Sequence, residues 1–407
     1  MLAETLVILS LILGGVAVDV ANRAPTLMFF DLFFFLLLVR RLVWFEWPCF
    51  RDRSVFCLVT ICVIFQILGS LVNPVDLFKG ILTIKALVFG FLLYGMLLRK
   101  PIAEWCVPVW LGGAGIVTLF SFYEAVKDGM NDASAMKDAV VTPMGPNNYV
   151  ACYLLMLLPV GVALFYGSSG IRKKLFYGGC LLAGCAGFIA TLSRGAFAAL
   201  LVAVGCSISL MYKSGLRIKH FLISLILLLM VLAIFSQQIT LFYDFFGDKL
   251  AVGDVARMEL WKKAIQAFEQ NPILGVGPGQ FVNYTQESGA DGSRLGAHNT
   301  YLQILAEGGI LGSIPIFTLM IVLLRRVYVI AKTSLDPVQI AIWIGLFAAM
   351  IHNTVDTLFW TQHFQVLFWL LSAISFTKFS PGAERAKALI RGSRAVPSDV
   401  LYGGAEA

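Results

Sequence analysis

The succession of long apolar runs constrains this chain more than any other feature. The runs lie at 2–18, 25–39, 55–73, 80–98, 102–122, 149–167, 175–192, 196–212, 220–236, 309–325, 338–355 and 363–378. A bilayer crossing needs about 20 apolar residues, and in lipid only helices and closed barrels satisfy their own backbone. With 59% hydrophobic and only 14% charged residues, the chain falls far outside the usage of soluble globular domains. The expected fold is therefore all-α: a polytopic membrane protein with about twelve transmembrane helices and a long extracytoplasmic loop containing amphipathic helices. Residues 1–378 read as a single transmembrane domain. The polar stretch 379–407, interrupted by Pro381 and Pro397, reads as a disordered cytoplasmic tail. No basic region precedes the first apolar run, so no cleaved signal peptide is expected.

The charge excess follows the membrane pattern. A net charge of +7 raises the question of nucleic acid, but the basic residues sit in alternate connections between apolar runs. Arg40, Arg41, Arg51 and Arg53 share one such connection; Arg99 with Lys100, Arg172 to Lys174, Lys213 with Arg217, and Arg325 with Arg326 mark the next ones. That bias orients a membrane protein with both termini cytoplasmic, and it accounts for the charge without nucleic acid. The long loops 123–148 and 237–298 then face outward. Of the eight cysteines, Cys57, Cys62, Cys106, Cys152, Cys180, Cys185 and Cys206 lie in apolar runs without metal-ligand spacing, and they read as small core residues.

Residues 254–312 form the longest polar-rich interval, and an ordered loop of that length is usually functional. Asp254 is placed to cap an amphipathic helix over 255–269 that Asn271-Pro272 ends. Arg257, Trp261, Ala264, Ile265 and Phe268 share its apolar stripe, which aims Arg257 at the protein. Gly275, Gly277 and Gly279 read as positive-φ positions of a tight turn. A nucleotide loop would follow a strand, and this turn follows a helix. His298 opens the next helix, with Tyr301, Leu302 and Leu305 on its face. Glu307 lies half a turn out of phase with it, a poor partner unless Gly308-Gly309 bends the helix. His298 has a basicity suited to proton transfer near neutral pH, and Arg257 presents a fork suited to phosphate. Arg194, in T-L-S-R-G-A, is held by a short turn at the outer membrane surface, where an arginine is costly unless it snorkels or meets an anion. Asn147 and Asn148, in P-M-G-P-N-N, precede a run at the same face and either cap it or line a site. Lys85 and Asp31 lie in apolar runs and are candidates to pair. His352 and Asp356 stand one turn apart, a plausible imidazole–carboxylate pair.

Together these residues resemble the O-antigen ligase and polymerase superfamily. The resemblance rests on R-M-E-L-W-K-K-A followed by N-P-I-L-G-V-G-P-G-Q-F between Arg257 and Phe281, and on H-N-T-Y-L-Q-I-L-A-E-G-G-I-L-G from His298 to Gly312. It is supported by T-L-S-R-G-A at 191–196 and by G-P-N-N-Y at 145–149 with L-L-P at 157–159. It implies an inverting glycosyltransferase of the bacterial inner membrane that needs no metal and no cofactor. Such an enzyme takes glycan from undecaprenyl diphosphate at the periplasmic face. The resemblance assigns Arg194 and Arg257 to the diphosphate and His298 to the acceptor hydroxyl; Trp261, Tyr301, Asn147 and Asn148 are added as substrate-binding candidates. A ligase passes O-antigen polysaccharide to lipid A–core, which is the reading preferred. A repeat-unit polymerase and a protein glycosyltransferase share the same motifs and stay open. A flippase or transporter is less favoured, because charges gather in one asymmetric loop instead of at the midplane of two repeats.

Overall fold

The computed structural model describes residues 52–72, 77–97, 103–128, 141–142, 145–213, 250–287, 296–334 and 336–376. The runs expected at 2–18, 25–39 and 220–236, the tail from 379, Asp31 and Cys49 lie outside them. The described residues form α1 (Arg53–Val72), α2 (Leu77–Leu97), α3 (Ala103–Lys127), β1 (Val141–Thr142), β2 (Gly145–Pro146), α4 (Asn147–Gly167), α5 (Ile171–Ala190), α6 (Arg194–Lys213), α7 (Leu250–Gln270), α8 (Phe281–Glu287), α9 (Thr300–Ser334), α10 (Pro337–His352) and α11 (Gln362–Phe376). Apart from a two-residue antiparallel ladder in which Val141 faces Pro146 and Thr142 faces Gly145, these elements are helical. Five helices among the described residues are long and apolar enough to cross a membrane, and α2, α10 and α11 contribute shorter apolar segments. The protein is an all-α membrane protein.

Helix α4 sits at the centre. From Val150 to Leu157 every residue is buried, so it is apolar all round, as a helix enclosed by others must be. It packs on α3, α5 and α10; α10 also packs on α6, and α11 on α2. Gly345 on α10 leaves no room for a Cβ against the Met156 backbone, and Gly115 and Gly187 do the same for α3 against α5. Without a hydrophobic drive between helices in lipid, such small-residue contacts let backbones close to van der Waals distance. Helix α10 starts where chemistry demands: Asp336 accepts from the Val338 N–H at 2.8 Å, and Pro337 occupies the first turn. Cys62, Cys106 and Cys152 are buried as expected, whereas Cys57 and Cys206 face outward.

At one end of the bundle Asp52 pairs with Arg326, which also bonds Ser54, and the Tyr94 hydroxyl donates to Asp52 at 3.1 Å. Asp52 and Arg326 flank connections that charge counting assigns to the same side. Burial alone would raise the Asp52 carboxyl; the Arg326 guanidinium, Ser54 and the Val55 N–H outweigh it and hold it below its ordinary value.

The opposite end is built around a break in α9. At Gly309 the backbone leaves the helix (φ 56°, ψ −159°). The groups released by the break are taken up by the glycine turn after α7. Val276 N–H donates to Ala306 O (2.9 Å) and Gly277 N–H to Glu307 O (3.1 Å); in return Ile310 N–H donates to Pro272 O (2.8 Å) and Leu311 N–H to Ile273 O (3.1 Å). Ser313 Oγ satisfies Ile304 O at 2.8 Å. The turn thus replaces one rung of the helix. The expected positive φ is observed at Gly275, Gly277 and Gly279. On its other flank the turn lies against α1 and α2, where a Cβ on Gly69 would meet Pro278 Cδ at 3.2 Å.

Candidate active site

Helix α7 runs from Leu250 to Gln270, so Asp254 lies inside it and not at its cap, a correction to the sequence reading. It ends at Asn271-Pro272 as expected. Its buried face is Leu260, Ala264 and Ala267, with Arg257 and Trp261 half-buried on the same side; Ile265 is exposed, so the apolar stripe is narrower than expected. Ala264 and Ala267 pack with Val276, Phe281, Ala306 and Ala297, the residue before His298. Arg257 therefore stands two turns along the face that docks beside His298.

His298 does not open helix α9. The helix begins at Thr300, and Asn299 is its cap, accepting from the N–H groups of Tyr301 and Leu302 at 3.0 Å each. His298 stands just outside with φ 46°. A non-glycine residue there is held by its surroundings, and such positions concentrate at functional sites. Its Nδ1 lies 3.4 Å from Asp356 Oδ1. The side chains are 29% and 4% exposed, so the carboxylate is sealed while the imidazole stays accessible. Burial alone would raise the Asp356 carboxyl; the adjacent His298 imidazole, the charge of His352 and the Thr357 N–H hold it below its ordinary 3.8. With Nδ1 turned to the carboxylate, Nε2 is the ring nitrogen left for a substrate.

The turn that carries Asp356 is bolted to α9. Thr300 N–H donates to Asn353 O (2.9 Å) and Asp356 O (3.0 Å), its hydroxyl engages Asn353 Oδ1, and Leu358 N–H donates to that hydroxyl at 3.1 Å. Sequence reasoning pairs Asp356 with His352; the structure gives Asp356 a close contact to His298, with buried His352 adding its charge.

Arg194 begins α6 and is half-buried. Its neighbour Gly195 abuts His352 and Val355, which brings the arginine turn to the Asp356 corner. Asn147 Nδ2 donates to Thr191 O at 3.1 Å, bracing the same turn. Among the substrate-binding candidates, then, the Asn147 amide is engaged by backbone and the Tyr301 hydroxyl donates to Met350 O at 2.8 Å. Asn148 is half-buried on the first turn of α4. The Trp261 indole N–H is buried without a hydrogen-bond acceptor among the described residues. Lys85 is half-buried on α2.

An all-α membrane protein with a base, a buried carboxylate and an arginine turn at one end of its bundle is suited to moving a proton beside an anionic group. Residues 179–317 match the O-antigen ligase family, a stretch that holds Arg194, Arg257 and His298. Over that stretch, about a third of the chain, the protein is similar to the O-antigen ligase family. Comparison with curated proteins gives no match.

Proposed function

We propose that the protein transfers O-antigen polysaccharide from undecaprenyl diphosphate to lipid A–core at the periplasmic face of the bacterial inner membrane, with both termini in the cytoplasm. The observation that carries this reading is the contact that His298, inside the stretch similar to the O-antigen ligase family, makes with Asp356. The acceptor hydroxyl attacks the anomeric carbon, and the bond from that carbon to the diphosphate oxygen breaks with inversion. His298 Nε2 takes the hydroxyl proton, and Asp356 steadies the imidazolium that forms. The electron pair leaves on the lipid diphosphate, whose growing charge Arg194 and Arg257 share. The reaction so written calls for no metal.

The test is reconstituted transfer. Purified protein receives undecaprenyl-diphosphate-linked glycan and lipid A–core, with EDTA present, beside His298→Ala and Arg257→Ala. Transfer to core by wild type alone is the expected result. Chain growth on the lipid carrier would reassign the protein to repeat-unit polymerisation. Absence of transfer to any acceptor would overturn the glycosyltransferase reading.

A further inference from the structure

Glu307 is 2% exposed and has no part in the chemistry above. Its backbone carbonyl accepts from Gly277 N–H, and its Oε1 accepts from Phe281 N–H at 3.4 Å and from Gln303 Nε2 at 2.9 Å. Gln303, also buried, turns its other end to the chain before His298: its Oε1 accepts from Ala297 N–H at 3.0 Å. A glutamine amide has one donor end and one acceptor end. The carboxylate demands the donor and the backbone N–H demands the acceptor, so both neighbours fix the same orientation. Space is kept for it by Gly296, where a Cβ would stand 2.8 Å from Gln303 Oε1.

We propose that Glu307 is a positioning residue for His298, acting through Gln303 and the Ala297 amide. This rests on His298 being the base described above. Glu307 is also the point where the glycine turn enters α9, and the turn carries the end of α7. The relay therefore ties the helix bearing Arg257 to the segment bearing His298. It holds the His298 backbone at φ 46°, and with it the imidazole, in a fixed relation to the guanidinium that meets the donor. A group that only aligns reacting atoms sets turnover without binding the donor, and a shift of about 1 Å lowers rate on the order of 100-fold.

The experiment pairs Gln303→Glu with the double variant Gln303→Glu/Glu307→Gln, and adds Gln303→Met as an uncharged control. Gln303→Glu sets two buried carboxylates against each other. The double variant restores a donor at 307 and keeps an acceptor for Ala297. Gln303→Glu is expected to lower kcat on the order of 10- to 100-fold with donor KM near wild type, and the double variant to recover most of it. Gln303→Met should lose kcat without the double variant's recovery. Hydrogen exchange at residues 296–299 should speed in both single variants and slow again in the double, with α4 unchanged throughout. Wild-type kcat and wild-type exchange at 296–299 in the single variants would overturn the relay, as would loss of protection across the whole bundle. If wild type transfers to no acceptor, the proposed function fails, and exchange at 296–299 still decides the relay.

Discussion

Gly275 and Gly309 meet backbone to backbone. A Cβ on Gly275 would stand 2.4 Å from the Glu307 carbonyl, and one on Gly309 would stand 2.6 Å from the Gly275 nitrogen, while both residues have positive φ. Neither space nor backbone conformation admits a side chain at either position.

Gly275→Ala and Gly309→Ala should therefore each destabilise the protein by about 1–3 kcal/mol. Thermal unfolding in detergent would show it as a lowered midpoint. Gly170→Ala, also at positive φ but with open space around its Cβ position, should shift the midpoint less. Equal midpoints for wild type and Gly309→Ala would contradict the packed turn.

Asp356→Asn should slow transfer by about 10²-fold, against about 10²–10⁴ for His298→Ala. The amide keeps the size of the carboxylate but can neither select the ring tautomer nor balance an imidazolium. Turnover of Asp356→Asn equal to wild type would remove the carboxylate from the mechanism.

The lowered pKa of Asp356 fixes a direction for acid stability. A carboxyl whose folded pKa lies below its unfolded value contributes stability that is fully present above the unfolded value and is lost as pH falls through the folded one. The stability gap between wild type and Asp356→Asn should therefore close as pH falls below the ordinary 3.8. Unfolding midpoints measured from pH 3 to pH 7 would check this. A gap that widens as pH falls below 3.8 would reverse the assigned sign.

Arg194→Lys and Arg257→Lys keep the charge and lose the planar fork. If the two side chains hold a diphosphate, each change should lower kcat/KM for the lipid-linked donor by roughly 10-fold or more, with high salt unable to mimic the loss. Donor titrations of the reconstituted reaction give the numbers.

The pair at the other end supplies a contrast. Asp52→Ala leaves Arg326 half-buried without its carboxylate and should destabilise by about 1–3 kcal/mol, between the values for exposed and buried pairs. Turnover per folded molecule should not change. A fall in kcat without a fall in unfolding midpoint would show that this end communicates with His298.

Local chemistry was legible in the sequence; partners across the fold were not. Asn271-Pro272 announced the end of α7, and the three glycines announced their backbone, because each effect acts within a few residues. Asp254 was misplaced because α7 continues upstream through Gly253 despite that residue's poor helix propensity. His298 was placed on the helix because Asn299, an equally good cap, stood beside it. Asp356 was noticed only for its spacing from His352; its partner lies on another connection and becomes visible only when Thr300 and Asn353 join. By helical phase Glu307 reads as a poor direct partner for His298 unless Gly308-Gly309 bends the helix. The geometry agrees, and contact is made instead through Gln303, which helical phase alone does not reveal.

The break at Gly309 also sets a depth. From Gly309 to Arg326 helix α9 rises by about 25 Å, close to the roughly 30 Å of a bilayer's hydrocarbon layer. One terminus of that segment is pinned by the Asp52–Arg326 clasp and the other by the glycine turn. The helix thus works as a ruler. It fixes the distance between the clasp and the His298 corner, and inserting or deleting one residue between them would shift that corner along the membrane normal while rotating it about 100° around the axis.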